Sequence, residues 1–345
     1  MRGRSLVWLM LVWWHTGTLL FAQGSAASSV ALSVGVIRRA VAEIAAIVER
    51  EYVDAAAAAR IASVLRQRLQ EGAYTAAASP DTLAAQLNRD LLSESQDRHL
   101  WVATARPLPV QATDTSAREE AVRRTNGGVQ RVEVLPGNVG YLNLTVFWRL
   151  EEARDAVGEA MRLLRRADAL IIDMRENGGG SPETVALLAG YLIDEPGAPL
   201  FDIVSRSGER TTYATPRPGV PERDARRPVY VLTAARTFSG GEGFAYLLQE
   251  RARAQVIGER TAGAANAGQP YRVNAWLEVT VPNGRVEAAI TRRSWEGSGV
   301  TPDVTVSASD ALRIAHARAL DRLIPAATGD WRTRLEQARQ ALGAF

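Results

Sequence analysis

The chain contains no cysteine. A disulfide framework, a thiolate metal site and a Cys nucleophile are therefore excluded. It contains no lysine either, because all 41 residues counted as Lys or Arg are Arg. That removes every mechanism needing a Lys base, a Schiff base or a P-loop lysine. Histidine is scarce: His15, His99 and His316 are the three. A His-rich metal site is excluded with them. Net charge is only +3 and the arginines form no basic patch, so no nucleic-acid signal is present. No apolar run has the length of a membrane span after the first residues. What remains is an ordinary globular balance, 46% hydrophobic and 23% charged over 345 residues. That is enough for two domains and a sizeable core.

The first residues read as a targeting segment. Arg2 and Arg4 precede the apolar stretch Leu6–Trp14, and small residues follow from Gly24 to Ser29. A basic start, an apolar middle and a small-residue exit describe a secretory signal peptide over residues 1–27. Cleavage is expected between Ala22 and Ser29, leaving an exported, periplasmic or secreted chain without a stable membrane span. His15 leaves with the peptide.

Residues 28–105 read as a helical subdomain. Val34, Ile37, Val41, Ile44 and Val48 make one stripe at helical spacing. A second helix is expected over 55–70. A third starts at Ser79-Pro80-Asp81, an N-cap followed by Pro at the first helical position. His99–Val102 reads as a short strand. The polar stretch 106–128 reads as a linker. From residue 129 to 325 strands alternate with helices. Val129–Leu135 and Val139–Thr145 form a hairpin, and 151–166 is an amphipathic helix. Ala169–Met174, Pro228–Thr233 and Val256–Gly258 are buried strands. Tyr271–Val281 and Arg285–Thr291, joined at Asn283-Gly284, read as a second hairpin. A helix over 308–323 and a tail helix in 326–345 close the chain. Repeated strand–loop–helix units imply an α/β core.

Four local patterns carry chemistry. Ser239 stands between a buried strand and a helix. That turn exposes a nucleophile and sets the Gly240 N–H at a helix N-terminus, although a plain N-cap serine has the same sequence. Thr237 stands where an α/β-hydrolase elbow needs glycine, which disfavours that fold. Gly178-Gly179-Gly180 follows the strand ending at Asp173 and allows close backbone approach. Asp97-Arg98-His99 supplies one of the two histidines left after processing, and His is the usual base for a Ser hydroxyl. Glu296 lies among glycines in Trp295–Asp303, where it can orient a His or simply face solvent.

In this order the patterns resemble the tail-specific protease superfamily. The matching residues are Asp173…Asn177-Gly178-Gly179-Gly180, Thr237-Phe238-Ser239-Gly240-Gly241-Glu242 and Gly299-Val300-x-Pro302-Asp303. The superfamily includes C-terminal processing proteases, the tricorn core and interphotoreceptor-retinoid-binding-protein modules. Its processing proteases pair the Ser with a Lys in a Thr-x-Gly-Lys context. Here the segment is Thr261-Ala262-Gly263-Ala264, with Ala264 at the Lys position. Arg is no substitute, because it does not deprotonate in proteins. The 106–128 linker is also too short for the PDZ module those proteases carry. The tricorn-like branch draws a His from an Asp-x-His segment and a Glu from the late segment. The resemblance thus implies Ser239 as nucleophile, His99 as base and Glu296 as orienting carboxylate, with Asp97 as second candidate. It implies an oxyanion hole from the N–H groups of Gly240 and Gly179, with no cofactor and no metal. It also implies a crotonase/ClpP-like spiral core of ββα units. The expected substrates are peptides or unfolded proteins. Two alternatives share the fold: a non-catalytic module binding apolar ligands, and a crotonase-type acyl-CoA enzyme, which fits poorly with export.

Overall fold

A computed structural model describes residues 32–105, 115–217, 219–220 and 223–343. The targeting segment expected over 1–27 lies outside the described residues. Among them, no helix is long and apolar enough to cross a membrane. In chain order the elements are α1 (Val34–Glu51), α2 (Ala55–Gln70), α3 (Pro80–Ser95), β1 (Trp101–Thr104), α4 (Thr115–Arg124), β2 (Val129–Leu135), β3 (Val139–Leu144), α5 (Leu150–Leu163), β4 (Ala169–Asp173), α6 (Pro182–Gly190), β5 (Pro199–Ser205), β6 (Arg210–Ala214), β7 (Val229–Thr233), α7 (Gly240–Glu250), β8 (Gln255–Gly258), β9 (Ala267–Arg272), β10 (Leu277–Ala288), β11 (Val304–Thr305), α8 (Ala308–Leu323) and α9 (Gly329–Ala341). The fold is mixed α/β with an N-terminal helical region, as expected.

The chain forms two compact units. The first gathers the described residues up to 105 with Val204–Arg210 and Asn266–Arg285. The second takes the described residues of Asp114–Ile203, Thr211–Ala265 and Val286–Phe345.

In the first unit, Ser33, Asp54 and Ser79 cap α1, α2 and α3, each side chain accepting a first-turn N–H. Of the expected stripe, Ile37, Val41, Ile44 and Val48 are buried, sharing a core with Ile61, Leu65, Leu83 and Leu87 and with Leu277, Val279 and Val281 of β10, whereas Val34 in the first turn is exposed. β10 pairs antiparallel with β1 and with β9. This corrects the expected hairpin. The turn lies at residues 273–276, where Asn274 Oδ1 accepts from the N–H groups of Trp276 (2.9 Å) and Leu277 (2.8 Å). Asn283-Gly284 instead sits inside β10, at a register shift between Pro282 and Gly284. An Asn side chain that caps its own turn outcompetes the Asn-Gly pair.

The second unit is built on a six-stranded sheet in the order β11-β8-β7-β4-β3-β2. β2 and β3 are antiparallel, and β3, β4, β7, β8 and β11 run parallel. One apolar cluster joins Val139, Ile171, Leu232 and Ile257 of the sheet to Ala311, Ala315 and Leu320 of α8. Part of the expected linker is helix α4. It has no apolar stripe to read. Instead Arg118 forms a bidentate pair with Glu152, 2.5 and 2.8 Å, and stands over the Trp148 ring. Because β3, β4, β7 and β8 are parallel neighbours, the loops after them leave the same edge. In open α/β sheets that edge is where ligands bind.

Candidate active site

Ser239 lies in the loop after β7. Thr237 turns the chain: its Oγ1 donates to Met174 O at 2.8 Å and accepts from Ala234 N at 2.9 Å. Phe238 N donates to Asn177 O at 3.0 Å, stitching this loop to the one after β4. Ser239 then adopts φ 51° and ψ −117° before α7 begins. A side chain in that region costs of order 1–3 kcal/mol and persists only where its surroundings fix it.

The glycine run closes on Ser239 from β4. Gly179 has φ +92°, and a Cβ there would stand 2.6 Å from Ser239 Cβ and 2.9 Å from Gly240 N. Asn177 braces the run: it is fully buried, its Nδ2 donates to Leu144 O at 2.8 Å, and its Oδ1 accepts from Gly179 N at 2.8 Å. This corrects one expectation. The Gly179 N–H is already committed to Asn177, so it is not available to an oxyanion. The next residue is. No acceptor among the described residues takes the N–H of Gly180 or of Gly240. The two are close, since a Cβ on Gly240 would stand 3.2 Å from Gly180 N. Gly180 itself needs φ +131°, with Phe147 O where its Cβ would point.

Two carboxylates flank the loop after β8. Glu242 is fully buried in the first turn of α7. Its Oε2 accepts from Ser239 N (2.8 Å) and Ala264 N (2.9 Å), and its Oε1 from Thr261 Oγ1 (2.6 Å) and Gly263 N (2.7 Å). Burial outweighs these donors and pushes its carboxyl up to about 7. Glu296 Oε2 accepts from Ala265 N at 2.7 Å, while Trp295 Nε1 donates to Ala264 O at 3.1 Å. Ser239, Gly179, Gly240 and Glu296 all belong to the second unit.

His99 and Asp97 belong to the first unit. Both are buried, in the turn between α3 and β1 rather than in a strand. Asp97 Oδ1 accepts from His99 N at 2.8 Å. Its Oδ2 accepts from Tyr52 Oη at 3.2 Å and Asn266 Nδ2 at 2.9 Å. Asp97 thus grips the backbone of His99. Burial holds the His99 imidazole below its ordinary value, with Asp97 opposing the shift. His316 is spent on structure: its buried Nε2 lies 2.8 Å from Pro136 O, so that nitrogen carries the proton. Asn177 and Glu242 have no assigned role from sequence. Ser239-x-x-Glu242 carries a legible signal, the Ser-x-x-Glu capping box.

Comparison with known proteins bears on the family and the fold. The model of peptidase family S41 matches residues 138–306, and that of the N-terminal domain of family S41 peptidases in eukaryotic IRBP matches residues 25–136. A carboxyl-terminal-processing peptidase 2 of Arabidopsis thaliana, chloroplastic, is 32% identical over 178 residues, 49% of this chain and 33% of its own. The chain thus spans about a third of that relative's length. Two solved structures share the fold. A photosystem II D1 C-terminal processing protease superposes with TM-score 0.51 at 16% identity over 79% of this chain and 93% of its own. The tricorn protease does so with TM-score 0.51 at 15% identity over 88% of this chain and 37% of its own. These likenesses define the class, an S41-protease fold. The chain belongs to peptidase family S41.

Proposed function

We propose that the protein is an exported serine peptidase that cuts peptide or unfolded protein chains through an acyl-enzyme on Ser239. The carrying observation is the strained Ser239 turn beside two N–H groups, of Gly240 and Gly180, that have no acceptor among the described residues. Strain and uncommitted donors concentrate where chemistry needs them. His99 takes the Ser239 Oγ proton as the oxygen bonds to the peptide carbonyl carbon. The resulting oxyanion sits between the Gly240 and Gly180 N–H groups. His99 then gives the proton to the leaving amine as the C–N bond breaks, and water hydrolyses the ester by the same steps. Glu296 is the favoured orienting carboxylate, because both Asp97 oxygens already serve Tyr52, Asn266 and the His99 backbone. No step uses a metal or an organic cofactor. The names of the relatives make C-terminal segments the first substrates to try. A module that only binds apolar ligands has no use for a strained serine held in this way.

A pH profile of kcat/KM on one peptide tests the base. A His base works only when neutral, and burial lowers the His99 pKa. The limb that His99 contributes is therefore expected below the ~6.5 of a free imidazole. His99→Ala is expected to lose at least ~10²-fold and His316→Ala to keep the limb. Full activity in His99→Ala overturns the mechanism.

A further inference from the structure

The loop after β8 carries no lysine, yet it is not an idle connection. Its N–H groups at Gly263 and Ala264 point to Glu242, and that of Ala265 points to Glu296. Its carbonyls at Gly263 and Ala264 accept from Gly297 N and Trp295 Nε1. Thr261 Oγ1 donates to Glu242 and accepts from Val300 N at 2.7 Å. The loop is thus a ledge with one carboxylate on each side. Glu242 reaches both this ledge and the backbone of Ser239. We propose that Glu242 is a positioning residue: its ionised carboxylate clamps the Ser239 turn to residues 261–265, setting the nucleophile and the seat of Glu296 as one body.

The clamp requires the anion. Each oxygen receives two donors, and three of the four are backbone N–H groups that cannot turn into acceptors, so only the anion satisfies all four together. The partners are the Ser239, Gly263 and Ala264 N–H groups and the Thr261 hydroxyl, none of them charged. With its carboxyl pushed up to about 7, Glu242 is expected to take its proton near neutral pH, above the limb assigned to His99. Below that point the clamp loosens and reactivity falls.

The proposal rests on the serine-peptidase reading, and two readouts on Glu242→Gln keep the two apart. The first is the rate of fluorophosphonate labelling from pH 5 to 9. The amide keeps the size but turns two acceptor sites into donors facing donors. Labelling is expected to slow by at least ~10-fold, with the upper acid step near pH 7 gone. The second is amide hydrogen exchange, which needs no activity. Peptides covering 239–243 and 261–265 are expected to exchange faster together, while peptides from α8 stay protected. Wild-type labelling speed with the step retained overturns the proposal. So does unchanged exchange in either peptide. If the wild type is not labelled at all but exchange rises in both peptides, the clamp stands and the peptidase reading fails.

Discussion

At Gly179 the constraint is steric as well as conformational. Its φ of +92° disfavours any side chain, and a methyl would press on Ser239 Cβ and Gly240 N. Gly179→Ala is expected to cut kcat/KM by at least ~10²-fold, the scale of losing an oxyanion donor, although its own N–H is not the donor. KM is expected to move little, since the damage falls on the reacting atoms. Asn177→Ala removes the acceptor for Gly179 N and the donor to Leu144 O. It leaves buried groups unpaired, so a stability loss of about 1–3 kcal/mol by chemical denaturation should accompany the loss of activity. A Gly179→Ala enzyme with wild-type kcat contradicts the close approach. An Asn177→Ala protein as stable as wild type contradicts the brace.

The late Gly-Val-x-Pro-Asp segment divides its labour among elements. Gly299, with φ +68°, lets the chain pass Thr261 O, and Val300 N donates to Thr261 Oγ1. Asp303 ties β8 to β11: its Oδ2 accepts from Val256 N at 2.7 Å and its N donates to Val256 O at 2.8 Å. Asp303→Ala is therefore expected to lower stability by about 1–3 kcal/mol with the serine still labelled; unchanged stability contradicts a structural role. Most elements were legible because their signals are local. The caps Ser33, Asp54 and Ser79, the stripe of α1 and the apolar runs of β4 and β7 each declare themselves within a few residues. β5 and β6 were not legible. Asp202 interrupts the apolar run of β5, and its partners Thr212 and Arg292 are distant in sequence. The hairpin turn differs because Asn274 and Asn283 offer competing turn signals, and the Asn274 side chain caps its own turn. Among candidate site residues, the motifs single out Ser239, His99 and Glu296, the residues that the proposed mechanism uses. Which glycine N–H remains uncommitted depends on the Asn177 side chain, and sequence does not state that.

At the scale of the whole molecule, the first unit is not a contiguous stretch. Leu277, Val279 and Val281 of β10 lie in its core with α1, α2 and α3. Removing residues 1–113 would strip that strand of β1 and of the apolar side chains of α1, α2 and α3. The shortened chain is expected to aggregate on size-exclusion chromatography; a monomer with cooperative unfolding contradicts this. The lysine-free composition carries its own expectation. Acylating the chain with an amine-directed ester should leave kcat/KM unchanged, whereas a Ser–Lys enzyme would be silenced. The most direct measurement of the central claim is mass-spectrometric mapping of a fluorophosphonate adduct on the purified protein, with peptide hydrolysis followed in parallel. The account predicts one adduct, on Ser239, with both adduct and hydrolysis lost in Ser239→Ala. An adduct on another residue, or peptide hydrolysis that survives in Ser239→Ala, would contradict it.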